Sequence, residues 1–174
     1  TVIALKLMLL TFVRTVELRK AEWSEFNEDF TEWRIPAERM KMREGHVVPL
    51  SKQAGELLRE LKTYTGGRRF LFPNYRNPKT CMTATTLNRA LERMGFNGKD
   101  SIGFSAHGFR STASSILNEK GYRPDVIERQ LAHAERNKVR ASYNQAEYLP
   151  ERRAMMQEWA DYTDALTSED ASKI

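Results

Sequence analysis

The stretch Ser105-Ala-His-Gly-Phe-Arg110 decides how this 174-residue chain is interpreted. It opens a predicted helix over 105–119, in which His107 and Arg110 stand at positions i and i+3 and therefore share one face. The apolar residues of that helix form a stripe, and its members are Phe109, Ala113, Ile116 and Leu117. This phase places His107 and Arg110 together at the edge of the stripe. We therefore expect replacement of Arg110 by Ala to leave folding and melting nearly unchanged.

The rest of the chain predicts an α+β fold that is mostly α-helical. One small three-stranded antiparallel sheet is expected in the first third, from Trp23–Phe26, Thr31–Met42 and His46–Leu50. The apolar periodicities and capping residues predict helices over 2–12, 15–20, 51–62, 83–94, 105–119, 124–132, 137–145 and 149–166. Residues 1–166 are expected to form a single domain, followed by a disordered polar tail over 167–174.

Composition limits the function classes. The net charge of +5 suits a polyanionic partner, although basic proteins have many other roles. A single cysteine excludes a disulfide framework and a cysteine-based zinc site, which favours a reducing compartment. The apolar opening is interrupted by Lys6 and is too short to span a bilayer, so no membrane partner is expected. The chain lacks an initiator Met and begins inside a helix, so we interpret it as a piece of a longer protein.

Two further groups of basic residues have the chemistry to bind phosphate. Arg14 follows the apolar helix and faces Glu17 at i+3, which can fix the guanidinium so that it offers two parallel N–H groups. Lys41 falls in the second predicted strand, where Arg39 and Arg43 point the same way at a spacing of two. A row of cations that protects an edge strand is an equally ordinary explanation for those three.

His133 and Tyr143 complete the set of candidates. A histidine at a helix end often only caps carbonyl groups, and a tyrosine on a short helix more often packs than reacts. Taken together, however, a cationic cluster and a nearby phenol are what an enzyme needs to break a phosphodiester by covalent attack from tyrosine. The sequence therefore predicts that Arg14, Lys41, His107, Arg110 and His133 lie close to the Tyr143 hydroxyl.

In this order the candidates resemble the catalytic domain of the tyrosine recombinase, or phage integrase, family over about residues 1–166. Six segments carry the resemblance. Phe12–Leu18 is similar to the family's first-arginine box, Arg39–Lys41 ahead of His46–Leu50 to its hairpin lysine, and Ala106–Arg110 to its His-x-x-Arg box. Gln130–His133 is similar to its second histidine box, Ser142–Asn144 to its nucleophile segment, and Tyr148–Tyr162 to the ending of prophage-encoded members. The chain would then be a piece of an integrase without its N-terminal DNA-binding domain.

The resemblance implies a catalytic role for each candidate. Arg14 and Arg110 would hold the non-bridging phosphate oxygens, and His133 would donate a further hydrogen bond. Tyr143 would attack the phosphorus to form a 3′-phosphotyrosine bond, with His107 as a candidate base. Lys41 would protonate the leaving 5′-oxygen, and a 5′-hydroxyl from another strand could reverse the reaction. Such an enzyme integrates or excises a mobile element by site-specific recombination.

The resemblance also implies partners and a compartment. The partners would be double-stranded DNA attachment sites, three other integrase protomers in a tetramer, and DNA-bending accessory proteins, with the helix over 149–166 as a candidate for protomer contacts. No metal or nucleotide cofactor is expected, and the sequence contains neither a P-loop nor an acidic metal-binding motif. The expected location is the bacterial cytoplasm, on the nucleoid.

Three alternatives stay open. A type IB topoisomerase uses the same residue types to nick and reseal DNA. A DNA-binding module that had lost catalysis would keep the fold without needing the phenol. A helical protein-interaction domain would carry the histidines and arginines incidentally.

Overall fold

A computed structural model describes residues 1–133 and 147–171 of the chain. Its α-helices and strands, numbered separately in chain order, are α1 (Val2–Thr11), α2 (Thr15–Arg19), β1 (Glu32–Ile35), β2 (His46–Pro49), α3 (Lys52–Thr65), α4 (Thr86–Arg93), α5 (Gly108–Glu119), α6 (Pro124–Gln130) and α7 (Leu149–Ala171). The mostly helical α+β class is confirmed. The helix predicted over 137–145 lies outside the described residues.

The sheet has two strands instead of the three predicted. β1 and β2 pair antiparallel, with Trp33 opposite Val48. The segment Trp23–Phe26 begins as a short 3₁₀ turn and contributes a single bridge from Phe26 to Trp33. Its side chains instead enter an aromatic cluster, where the Phe26 and Trp33 rings stack at 5.2 Å. β1 ends before Pro36, which has no N–H to donate to a ladder.

α7 is longer than predicted and packs within its own chain. It continues to Ala171, beyond the end that the sequence predicted at residue 166. The buried side of α7 carries Met155, Met156 and Trp159, and the Trp159 indole donates to the Leu9 carbonyl at 2.8 Å. Contacts with another protomer would therefore have to use the outer face of this helix. Among the described residues, no helix is both long enough and apolar enough to cross a membrane.

Within residues 1–133 and 147–171, the core consists of two clusters that meet at α1. The larger one joins α1 to β1, β2, α3 and α4, and the smaller one lies between α5, α6 and α7. α1 is apolar on nearly every side, so it can be buried against both. Its C-cap residue is Phe12, whose backbone is left-handed (φ 38°) and whose ring meets Trp159 edge-on at 6.1 Å. The end of α1 thus lies where α2, α5 and α6 converge.

Candidate active site

Arg14 stands at the N-terminus of α2 and is held from two sides. Its Nη1 donates to the Glu17 carboxylate at 2.7 Å, and its Nη2 donates to the Ala132 carbonyl at 2.9 Å. The Arg14 backbone N–H also donates to Glu17, which satisfies a free donor at the helix start. The predicted pairing of Arg14 with Glu17 is confirmed. The Arg14 side chain is 23% exposed while that of Glu17 is buried, so Arg14 lies partly open to solvent.

Arg110 is buried, which corrects the prediction that it lies at the edge of the apolar stripe. Only 4% of the residue is exposed. Its Nη1 donates to the Phe12 carbonyl at 2.6 Å and its Nη2 to the Leu131 carbonyl at 2.7 Å. Burial, and next the nearby charge of Arg14, lower the pKa of Arg110 to about 10. The sequence pattern gave the correct face of the helix for Arg110. The side chain is buried because the end of α1 and the turn after α6 cover it.

His133 links Arg110 to a carboxylate. Its Nε2 lies 3.2 Å from Arg110 Nη2, and its Nδ1 lies 2.7 Å from the Glu128 carboxylate. Because a guanidinium can only donate, this network assigns the proton to Nδ1 and leaves Nε2 as an acceptor in the neutral ring. The imidazole is 44% exposed, so it lies at the surface of the site beside the more deeply placed Arg110.

The turn over residues 130–133 gathers these groups. Ala132 has a left-handed backbone (φ 50°), which aims consecutive carbonyls at different partners. The Leu131 carbonyl faces Arg110 and the Ala132 carbonyl faces Arg14, while His133 follows immediately. The structure thus brings Arg14, Arg110 and His133 together, as predicted, and it does so through one short backbone segment.

His107 is the N-cap residue of α5 and is exposed. In the part of the chain that the structure describes, its side chain makes no hydrogen bond to the other candidates. The glycine that follows it has a packing reason, since a Cβ at Gly108 would lie 2.8 Å from the Phe104 ring. Close packing of Phe104 against Phe109, at 4.9 Å between ring centres, therefore holds the start of α5 in place.

The predicted row of Arg39, Lys41 and Arg43 does not form. The strand ends before them, and Arg39 lies in a 3₁₀ turn with its guanidinium paired to the Glu25 carboxylate and the Glu17 carbonyl. Lys41 and Arg43 are exposed in the turn that leads to β2, and Arg43 has a positive φ of 55°. Of the three cations, Arg39 is thus an internal support under α2, and Lys41 is open to solvent.

Tyr143 lies outside the described residues. Glu147, the first residue described after it, is bound by Arg129 of α6 through both carboxylate oxygens. Arg129 and Glu147 therefore hold the end of α6 close to the start of α7.

Three residues near the site were missed by sequence reasoning. His46, at the start of β2, is buried with its Nε2 3.2 Å from the Gln130 carbonyl, and Glu128 pairs with His133. His46 has no local signal, because Gln130 lies 84 residues away, whereas Glu128 and His133 are five residues apart across the end of α6. Arg152 did have one, since it shares a helical face with the buried residues of α7 and an arginine there must be buried as well.

Comparisons with known proteins find relatives over most of the chain. A model of the Phage integrase family matches residues 1–149. The integrase of Enterobacteria phage P4 is 49% identical over 178 residues, which cover 94% of this chain and 40% of that protein. Prophage integrase IntA of Escherichia coli K12 is 47% identical over 160 residues, which cover 92% and 38%. The chain thus spans about two fifths of the length of these curated relatives.

Solved structures show the same fold at low identity. The integrase from mycobacterium phage Brujita superimposes with a TM-score of 0.64 at 15% identity, over 89% of this chain and 51% of that one. XerH site-specific recombinase, bound to its difH substrate in a pre-cleavage complex, gives a TM-score of 0.60 at 20% identity, over 86% and 44%. The fold is that of tyrosine recombinase catalytic domains. The chain belongs to the phage integrase family.

Proposed function

We propose that this chain is the catalytic part of a longer site-specific recombinase, which cleaves and rejoins DNA through a 3′-phosphotyrosine intermediate to integrate or excise a mobile element. The observation that carries the proposal is the convergence of Arg14, Arg110 and His133 on the 130–133 turn. Two fixed cations that contact this turn, with an imidazole beside them, suit an anion that gains charge during a reaction.

The basic side chains of the site lie at two depths below the surface. Attack on a phosphodiester adds negative charge to the non-bridging oxygens, and preorganised donors stabilise it. Arg14 and His133 are partly exposed and meet the phosphate first, whereas Arg110 adds its charge from deeper in the site. Glu17 and the carbonyl partners fix both guanidinium planes before substrate arrives, so the groups need no reorganisation during the reaction.

His133 must change protonation or partner to take its proposed role. In the neutral ring Nε2 accepts from Arg110, so it offers no proton to a phosphate. A phosphate in the site would have to accept from Nε2, while the contact of Nδ1 with the Glu128 carboxylate at 2.7 Å holds the ring in place. Glu128 therefore orients His133 towards the bound anion.

The remaining catalytic roles are assigned to Tyr143, His107 and Lys41. Tyr143 is the proposed nucleophile and His107 the candidate base, at the N-terminus of α5. Lys41 is the proposed acid for the 5′-oxygen, because Arg39 is engaged with Glu25 and arginine does not release a proton near neutral pH. Assembly of four protomers on two DNA attachment sites, with accessory bending proteins, completes the proposal.

Trapping the covalent intermediate tests this function. The full-length parent is incubated with a nicked duplex that carries its attachment core, and then denatured in detergent. We expect a protein–DNA adduct that disappears in Tyr143→Phe and persists in Tyr148→Phe, a matched control that also loses only a hydroxyl. No adduct from the parent on a verified site would overturn the proposal and favour a DNA-binding module without catalysis. Relaxation of supercoiled DNA lacking the site would favour the topoisomerase alternative.

A further inference from the structure

Arg152 is a buried cation to which the proposed chemistry gives no task. It lies in the first turn of α7, is 0% exposed, and neighbours the buried Met155 and Met156. Burial, and next the charge of Arg129, lower the pKa of Arg152 to about 9. A cation in such a place costs free energy unless several hydrogen bonds hold it, and an apolar side chain would fill the space at less cost.

The hydrogen bonds of Arg152 reach three separate segments. Nε and Nη2 both donate to the Gln130 side-chain oxygen, at 3.0 and 2.9 Å. Nη2 also donates to the Val47 carbonyl of β2, and Nη1 to the Glu147 carbonyl at 3.2 Å. A carboxylate oxygen of Glu147 lies 3.5 Å from Nη1. Arg152 thus acts mainly as a fork of donors that joins β2, the end of α6 and the start of α7.

Gln130 is the first residue of the turn that holds the candidate active site. Its side-chain amide also donates to the Thr11 carbonyl at 3.4 Å, and its own carbonyl faces His46. The next two carbonyls accept from Arg110 and Arg14. Arg14 and Arg110 therefore hold this turn at its Ala132 and Leu131 carbonyls, and Arg152 holds it at the Gln130 side chain.

We propose that Arg152 is a positioning residue of the site, an inference that rests on the proposed function. It fixes Gln130, and through Gln130 the backbone that orients Arg14, Arg110 and His133. Because Arg152 is fully buried, it acts without touching DNA. Lysine in its place keeps the positive charge but cannot reach Gln130, Val47 and Glu147 together, since its donors lie on one nitrogen.

The test compares Arg152→Lys with Arg153→Lys. Arg153 is the adjacent residue, but it is 44% exposed and pairs with Glu32 at the surface, so this control makes the same chemical change outside the network. The first readout is the ¹⁵N NMR spectrum of the histidine rings, which is simple because the chain has three histidines. We expect the His133 ring signals to shift in Arg152→Lys and to stay unchanged in Arg153→Lys.

The second readout separates catalysis from binding. In Arg152→Lys we expect the rate of adduct formation per folded molecule to fall by about tenfold to a hundredfold, the range expected for a misplacement of about 1 Å. The affinity for the attachment-site duplex stays within about twofold of the parent, because no surface charge changes. A purely structural arginine would lower the melting temperature and leave the rate per folded molecule unchanged.

Each outcome supports or overturns the positioning role of Arg152. Unmoved His133 signals in folded Arg152→Lys, or moved signals with a parental adduct rate, would overturn the positioning role. If the parent forms no adduct, the proposed function fails, and the NMR comparison alone decides whether Arg152 sets His133. If Arg152→Lys does not fold, Gln130→Asn replaces it, because its shorter side chain withdraws the amide from Arg152; the same shift and rate loss are expected.

Discussion

Replacing Arg110 by alanine is expected to unfold the protein more easily as well as to stop cleavage. The substitution leaves the carbonyls of Phe12 and Leu131 without their donor in a site where Arg110 itself is only 4% exposed. An unsatisfied buried acceptor costs about 1–3 kcal/mol, so the two together lower the free energy of unfolding by roughly 2–6 kcal/mol. In a protein of this size the melting temperature then falls by roughly 5–20 °C.

Thermal and urea unfolding followed by circular dichroism measure this effect. Arg34→Ala is the matched control, because Arg34 is exposed on β1 and pairs with Glu32, which also binds Arg153. Its loss is expected to cost less than about 1 kcal/mol. Arg110→Lys keeps the charge and one donor group, so we expect it to melt between Arg110→Ala and the parent.

The result that would refute the reasoning is an Arg110→Ala protein that melts within about 2 °C of the parent, since a loss of about 1 kcal/mol already moves the midpoint that far. The carbonyl contacts of Arg110 would then contribute nothing to folding. Activity of Arg110 variants must be measured well below their melting midpoints, because otherwise lost cleavage reports lost structure.

Two further predictions concern His46 and Lys41. Burial, and next the charge of Arg152, lower the pKa of His46 to about 3, against about 6.5 in the unfolded chain. As the pH falls from 6.5 towards 3, the unfolded chain binds a proton at His46 and the folded chain does not. The free energy of unfolding therefore falls by up to about 1.4 kcal/mol per pH unit. Urea midpoints across this range should decline less steeply in His46→Gln, and parallel curves would contradict the assignment. Lys41 is exposed, so Lys41→Ala should keep the parental melting temperature while adduct formation falls about 100-fold or more. A substrate with sulfur at the leaving 5′-position should restore its rate, because a thiolate leaves without a proton; a Lys41→Ala rate that this substrate does not restore would contradict the acid role.

Features that depend on neighbours in the chain were predictable from sequence. The Ser51 hydroxyl caps α3 by accepting from Ala54 N–H at 3.3 Å, and Arg14 meets Glu17 across one helical turn at 2.7 Å. Helical spacing fixes such distances before any tertiary contact forms. The strands were harder to predict. Trp23 and its neighbours pack into an aromatic cluster with residues from other segments instead of pairing as a strand.

The sequence by itself determined the class of fold, the order of the candidate residues and the local pair of Arg14 and Glu17. Only the tertiary structure decided that Arg110 is buried, because its partners Phe12 and Leu131 lie 98 and 21 residues away. It also decided that Arg39 turns inward while Lys41 stays exposed. The physical reason is that burial and long-range hydrogen bonds depend on which distant segments pack over a side chain. The periodicity of the sequence determines only the face of the helix or strand on which that side chain lies.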